Sequence, residues 1–457
     1  MRSVFHELVH FHHLLGTTYG VYYYTIALTQ LAASLISLKA QTQEGRKVKL
    51  PIKNGILPVI KGMYEGFLDQ LEQSETSSLL ENTDLDALEQ DNIRLGVQER
   101  ELYDRQRKTK EIISLPVMFY DLKFNTGKEL KVPVGGRAIM ENYAKHLEFT
   151  TGFASGTNEK EIDKHFDYFF LSLYSLTRLK EIPDNLKHDL LSCLYYLSLM
   201  GTMPGNSKDK YFGIFFKKET FSPIETINLL KPPGLVFHDA LTESIKIIES
   251  RSRALDDLDS FLEELCPRIE LSGICELNIE LKDLTELCLD EIGKASYFQL
   301  FPFIEYYLKM SLKFANMIQD NPVLFAKGDI TRRLVSYLSS PDTDKNCEDG
   351  FMGGYPVPNI YFEHTYDKAG NVIEYTGWGD AGEDQLLLEF YLDLYDQLFT
   401  GKELYCYEAR HLSAVLDSPP CKRIRDCAGK NKPDYNNCTN THKILLETFL
   451  GGYKSLA

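Results

Sequence analysis

Two catalytic signatures are missing from this chain of 457 residues. It has no G-x-x-x-x-G-K-[ST] loop and no G-x-S-x-G elbow, so it offers neither a P-loop phosphate cradle nor the strained nucleophile turn of an α/β-hydrolase. It also lacks an internal repeat of solenoid length, which removes the repeat architectures. Its nine Cys are an odd number, and a chain long enough to bury its own core needs no complete disulfide framework. Basic residues are absent from Gly62 to Ile93, where nine acids fall. Charged residues are absent from Leu14 to Leu38, but Thr17, Thr18, Thr25, Thr29, Gln30, Ser34 and Ser37 make that stretch too polar for an ordinary span. No small-residue cleavage site follows it. A buried N-terminal helix and a cytoplasmic location are therefore expected, with no membrane span.

What remains is an acidic globular composition. Hydrophobic residues make up 43% and charged residues 25%, with a net charge of −16, which excludes a wholly disordered chain and a protein coated with nucleic acid along its whole surface. The patterning predicts a mainly α (α+β) fold of multi-helix globular domains with two small β-hairpins and a C-terminal zinc-knuckle-like module. Three regions are expected. Residues 1–113 form an N-terminal helical region with an acidic mobile loop at 74–91. Residues 114–340 form a central, mainly helical domain that starts with a hairpin. Residues 341–457 hold a hairpin, a helix and a Cys-rich segment.

Within these regions, residues 1–40 read as helix broken near Gly16 and Gly20, and the charged stretch Ile93–Ile113 as a solvent-facing helix. Val117–Phe124 and Lys128–Val134 flank Asn125-Thr126-Gly127, a hairpin signal. Leu186, Leu190, Leu194 and Leu197 share one helix face behind Pro183. Phe237–Leu265 reads as one long helix and Phe298–Ile318 as a core helix. A second hairpin surrounds Asp367–Gly370, and a helix follows at Glu383–Phe399.

Four motifs bear on chemistry. Cys421-x5-Cys427-x10-Cys438-x3-His442 supplies thiolate and imidazole ligands in order, the donor types that hold a structural zinc. The segment is poor in apolar residues, so one bound ion would supply its folding energy. Cys406, with Cys347 and His411, stands by as a substitute ligand. Between 422 and 443 the chain reverses sign, with six basic residues against two acidic ones. Lys422, Arg423, Arg425, Lys430 and Lys432 would face a phosphate-bearing or acidic partner, either nucleic acid or protein.

The second motif, His6-Glu7-Leu8-Val9-His10, matches H-E-x-x-H. In that pattern two His one turn apart bind zinc and the Glu activates water. No Glu follows before Glu44 and no H-x-x-G-x-x-H extension exists. A half-buried amphipathic helix is the expectation, with a metallohydrolase using Glu7 as the alternative. Gly377–Gly382 matches G-x-G-x-x-G formally, but Asp380, Glu383 and Asp384 would repel a phosphate from the helix start, so a turn is expected. Asp342-x-Asp344-x-Asn346 opens like a calcium loop. However, Cys347 stands where the turn needs Gly, and Gly353 where the closing Glu belongs.

The hairpin at 360–375, the helix Asp384–Phe399 and the cysteines that follow resemble the C-terminal part of an uncharacterised bacterial domain-of-unknown-function family common in Firmicutes and mobile elements. The resemblance covers residues 359–442. It implies a helix followed by a Cys-rich zinc knuckle and carries no known activity. Family members have C-x-x-C-G after the helix. Here Cys406 is followed by Tyr-Glu-Ala, so the knuckle would begin at Cys421. The leading expectation is a non-catalytic zinc-binding regulatory protein that contacts nucleic acid or a protein partner through its C-terminus, in a mobile-element or defence setting. A metal-free interaction scaffold is a further alternative.

Overall fold

The structure, a computed structural model, describes residues 2–21, 88–104, 109–151, 166–201, 231–250, 257–294, 302–339, 347–348, 351–352, 354–357, 361–366 and 372–378. Helices dominate, with a small three-stranded antiparallel sheet. Among the described residues no helix is long and apolar enough to cross a membrane. The described residues fall into two units, and the hairpin β7 (Tyr361–Tyr366) and β8 (Val372–Trp378) stands by itself in the second.

The N-terminal helix α1 (Arg2–Leu15) is buried almost all round. Phe5, Leu8, Val9 and Leu15 are each at most 1% exposed, and burying side chains of this size stabilises by about 1.5–3 kcal/mol apiece. Among residues 5–15 of the helix, the stripe Glu7, His10, Phe11 and Leu14 reaches solvent. The helix stops at Gly16, whose N–H bonds the His12 carbonyl at 2.8 Å. A Cβ at Gly16 would come within 2.7 Å of the Phe325 ring, so glycine permits the close approach of the helix end to its neighbour.

Strands β1 (Leu88–Asp104), β2 (Thr109–Phe124) and β3 (Glu129–Val134) form the sheet in that order. The expected hairpin is β2–β3, closed through Gly127 at φ +76°, a conformation glycine adopts without steric cost. The charged helix expected at 93–113 is not there. Those residues pair antiparallel from Leu88↔Phe124 to Asp104↔Thr109. Gly96 lies against the Phe119 ring of the facing strand, where a Cβ would approach to 2.8 Å. The partner strand supplies a backbone ladder that charge content alone does not reveal. The boundary expected at 113/114 consequently falls inside β2.

Next come α2 (Gly136–Thr150), α3 (Phe166–Arg178) and α4 (Asp184–Met200). Helix α4 starts after Pro183 and buries Leu190, Leu191, Leu194 and Leu197. The single long helix expected over 237–265 is two, α5 (Pro233–Ser250) and α6 (Leu258–Arg268). Asp257 caps the second by accepting from the Asp259 and Ser260 N–H groups, which satisfies donors a helix start leaves open. Helices α7 (Ile274–Lys294), α8 (Pro302–Ile318), α9 (Pro322–Ala326) and α10 (Asp329–Ser339) complete the unit, with short strands β4 (Cys347–Glu348), β5 (Phe351–Met352) and β6 (Tyr355–Pro356). As expected for a core helix, α8 buries Tyr307, Leu308, Phe314 and Ile318.

A ladder of rings ties four helices together. His13 of α1 stacks on Tyr143 of α2 at 3.9 Å, Tyr143 on Tyr195 of α4 at 5.5 Å, and Tyr195 on Phe237 of α5 at 5.0 Å. The Tyr143 hydroxyl donates to the Ala326 carbonyl at 2.5 Å. These contacts set how α1 lies along α2, and with it the site described next.

Candidate metal centre

Helix α1 runs antiparallel to α2. His6 meets Glu148, His10 meets Glu141 and Tyr19 meets Gly136. Residues four apart on a helix share a face, as do residues seven apart. The pair His6 and His10 therefore confronts the pair Glu141 and Glu148. Among the described residues, the group His6, His10 and Glu141 places one ligand atom each within 4.8 Å of the others. His6 Nε2 stands 2.9 Å from His10 Nε2 and 3.2 Å from Glu141 Oε2, and His10 Nε2 stands 3.4 Å from Glu141 Oε2. The His10 and Glu141 side chains are 16% and 18% exposed. Glu148 behind them is 1% exposed.

This donor set fits a divalent ion. Ligand atoms about 2.0–2.1 Å from a tetrahedral zinc stand about 3.3–3.4 Å apart; the two separations to Glu141, 3.2 and 3.4 Å, match that, and the two imidazole nitrogens, at 2.9 Å, would part slightly to admit an ion. The 2.9 Å between the two imidazole nitrogens is a hydrogen bond, one ring donating its N–H to the lone pair of the other. Burial pulls the His6 pKa down, but hydrogen bonds to Glu141 and Glu148 overcome this and hold it up at about 9. Burial pushes the Glu141 carboxyl up, but its bonds to His10 and His6 win and keep it well below the usual carboxylate range. His6 is then an imidazolium whose Nε2–H lies between His10 and Glu141, so proton and cation compete for one place.

The neighbouring histidines behave differently. His12 donates from Nε2 to the Pro356 carbonyl at 3.0 Å and accepts at Nδ1 from the Thr331 hydroxyl at 2.6 Å. Both its nitrogens are used, and burial lowers its pKa to about 4. It is a neutral core residue joining α1 to α10 and β6. His146 donates from Nε2 to the His188 carbonyl at 3.0 Å, and burial lowers its pKa to about 3.

The helix expected at the start of the chain is present, but more of it is buried than the half-buried expectation, and two of its histidines also enter a three-residue group able to hold a metal ion. Glu7 is exposed, on the solvent-facing stripe of α1 that includes His10. The third member of the group, Glu141, lies 135 residues beyond His6, far outside the span in which an extension of the motif is sought. The E-x6-E spacing on α2 was the signal for both carboxylates, and amphipathic helices show that spacing without any site. Cys421, Cys427, Cys438, His442, Cys406, His411, Lys422, Arg423, Arg425, Lys430 and Lys432 lie outside the described residues, as do the helix expected at 383–399 and the acidic loop expected at 74–91, except that its residues 88–91 belong to strand β1 instead. No protein-family model, curated protein or solved structure matches the chain.

Proposed function

We propose that this chain is a metal-dependent hydrolase of the H-E-x-x-H type, with zinc held by His6, His10 and Glu141 and with Glu7 as general base. The observation that carries the reading is the triangle of His6 Nε2, His10 Nε2 and Glu141 Oε2 at 2.9, 3.2 and 3.4 Å. Two His and one carboxylate are a catalytic rather than a structural zinc set, because they leave a coordination position for water or substrate. When bound, the cation supplies Lewis-acid activation of water and of a carbonyl or phosphoryl oxygen. Glu7 is offset from His6 by about 100° and from His10 by about 60° around the helix. Glu7 is exposed, and an exposed carboxylate next to the two histidines in the helix is suited to taking a proton from a water and returning it to a leaving group.

The same triad also suits non-haem Fe(II). The acid following His6 favours the hydrolytic reading, and elemental analysis of the purified full chain decides between them. Glu7→Gln is expected to keep the metal and to lower hydrolysis of quenched-fluorescence peptides by about 10²–10⁴-fold. Unchanged hydrolysis would sink the assignment of Glu7.

The C-terminal segment supports a second proposal, a zinc-dependent contact with nucleic acid or a protein partner. It rests on the order Cys421, Cys427, Cys438, His442 and on the local reversal of charge at 422–443. Both proposals together predict two metal equivalents per chain, falling to one in Cys427→Ser. A single equivalent that survives this substitution removes the C-terminal zinc.

A further inference from the structure

We infer that Glu148 is the positioning residue of this centre, fixing the tautomer and orientation of His6. The inference rests on the metal-binding reading above.

Glu148 follows Glu141 by two helical turns and faces the same side of α2. At 1% exposed it is a deeply buried carboxylate, and such a charge persists only with close partners. Two of them converge on one oxygen, with His6 Nδ1 at 2.6 Å and Lys145 Nζ at 3.2 Å from Oε1. An imidazole can bind a cation through Nε2 only if its remaining proton sits on Nδ1. A carboxylate accepting at Nδ1 selects that tautomer, fixes the ring's rotation and raises its basicity. Lys145, one turn before Glu148, offsets the acceptor's charge from the solvent side.

His10 has no such partner. Its Nδ1 is buried and makes no hydrogen bond among the described residues. Its ring is oriented by edge-to-face packing on His6, with centroids 4.5 Å apart and planes at 89°, and by Glu141 Oε2 at 3.4 Å from its Nε2. Support therefore runs from Glu148 to His6, and His10 is held jointly by His6 and Glu141. A plain ion pair tying α1 to α2 would account for the 2.6 Å contact, but it would leave metal affinity in the folded protein unchanged.

The test uses Co²⁺ titrated into the full-length protein, read by visible absorption and by competition for affinity. Wild type, Glu148→Gln, Glu148→Asp and His10→Asn are compared, with folding checked by far-UV circular dichroism. The expected result is about 10–100-fold weaker Co²⁺ binding in Glu148→Gln with an altered Co²⁺ spectrum and an unchanged fold. Glu148→Asp keeps the charge but withdraws it by one methylene, and is expected to weaken binding at least tenfold. It decides the question if Glu148→Gln does not fold. Wild-type affinity and spectrum in the folded variant overturn the role of Glu148 alone. If wild type and His10→Asn bind Co²⁺ alike, the metal centre itself is wrong and the positioning role falls with it.

Discussion

Metal binding at the α1–α2 contact is expected to stabilise the fold by a calculable amount. The three ligand atoms come from residues 6, 10 and 141. In the unfolded chain His6 and His10 are separated from Glu141 by about 130 residues of loop, so the unfolded state does not present the set. A ligand that binds only the folded state at 100 times its Kd stabilises by about 2.7 kcal/mol. For a unit of this size, at about 2 °C per kcal/mol, the unfolding midpoint should rise by about 5 °C. The assay is differential scanning calorimetry of the full chain, chelator-treated and then supplied with Zn²⁺, alongside Glu141→Gln. Wild type should gain the 5 °C, and Glu141→Gln should lose most of the gain because one of three ligands is weakened. An equal gain in both proteins would place the ion elsewhere and refute the argument from the triangle.

Two other perturbations test the scaffold. Tyr143→Ala removes the middle of the ring ladder and its bond to Ala326. It should cost about 3–5 kcal/mol in denaturant unfolding, whereas Tyr143→Phe should cost about 1 kcal/mol. Equal costs would show that the rings do not hold α1 on α2. His146 is neutral in the fold with a pKa of about 3 and about 6.5 unfolded. The unfolded chain takes the proton first, so this contribution is present above pH 6.5 and declines as pH falls toward 3. Between pH 7 and 5 it amounts to about 2 kcal/mol. His146→Gln keeps a donor for the His188 carbonyl and should flatten the stability–pH curve by that amount. An unchanged slope would mean that His146 is not held neutral.

Local features were legible wherever one segment decides its own conformation. Asn125-Thr-Gly127 specifies a turn whatever surrounds it, because Gly127 tolerates φ +76°. Pro183 and the leucine spacing behind it mark the start and buried face of α4. The break at Asp257 was equally local, a capping carboxylate with two backbone donors, yet the apolar period runs through it and suggested a single helix. Residues 93–113 show the opposite failure. Their charges suit a solvated helix or a strand equally well, and only the ladder to β2 decides. Gly96 was the residue within that stretch that argued against helix.

The sequence by itself determined that two histidines and an acid lie on one turn of an N-terminal helix, since helical geometry places residues four apart on one face. It also determined the hairpin that precedes α2 and the mainly helical character of the chain. Only the tertiary structure decided that His6 and His10 face Glu141, with Glu148 behind His6. The reason is physical. A metal site is a juxtaposition in space, and this one is assembled by the packing of α1 along α2, through contacts between residues more than a hundred positions apart that no local period encodes.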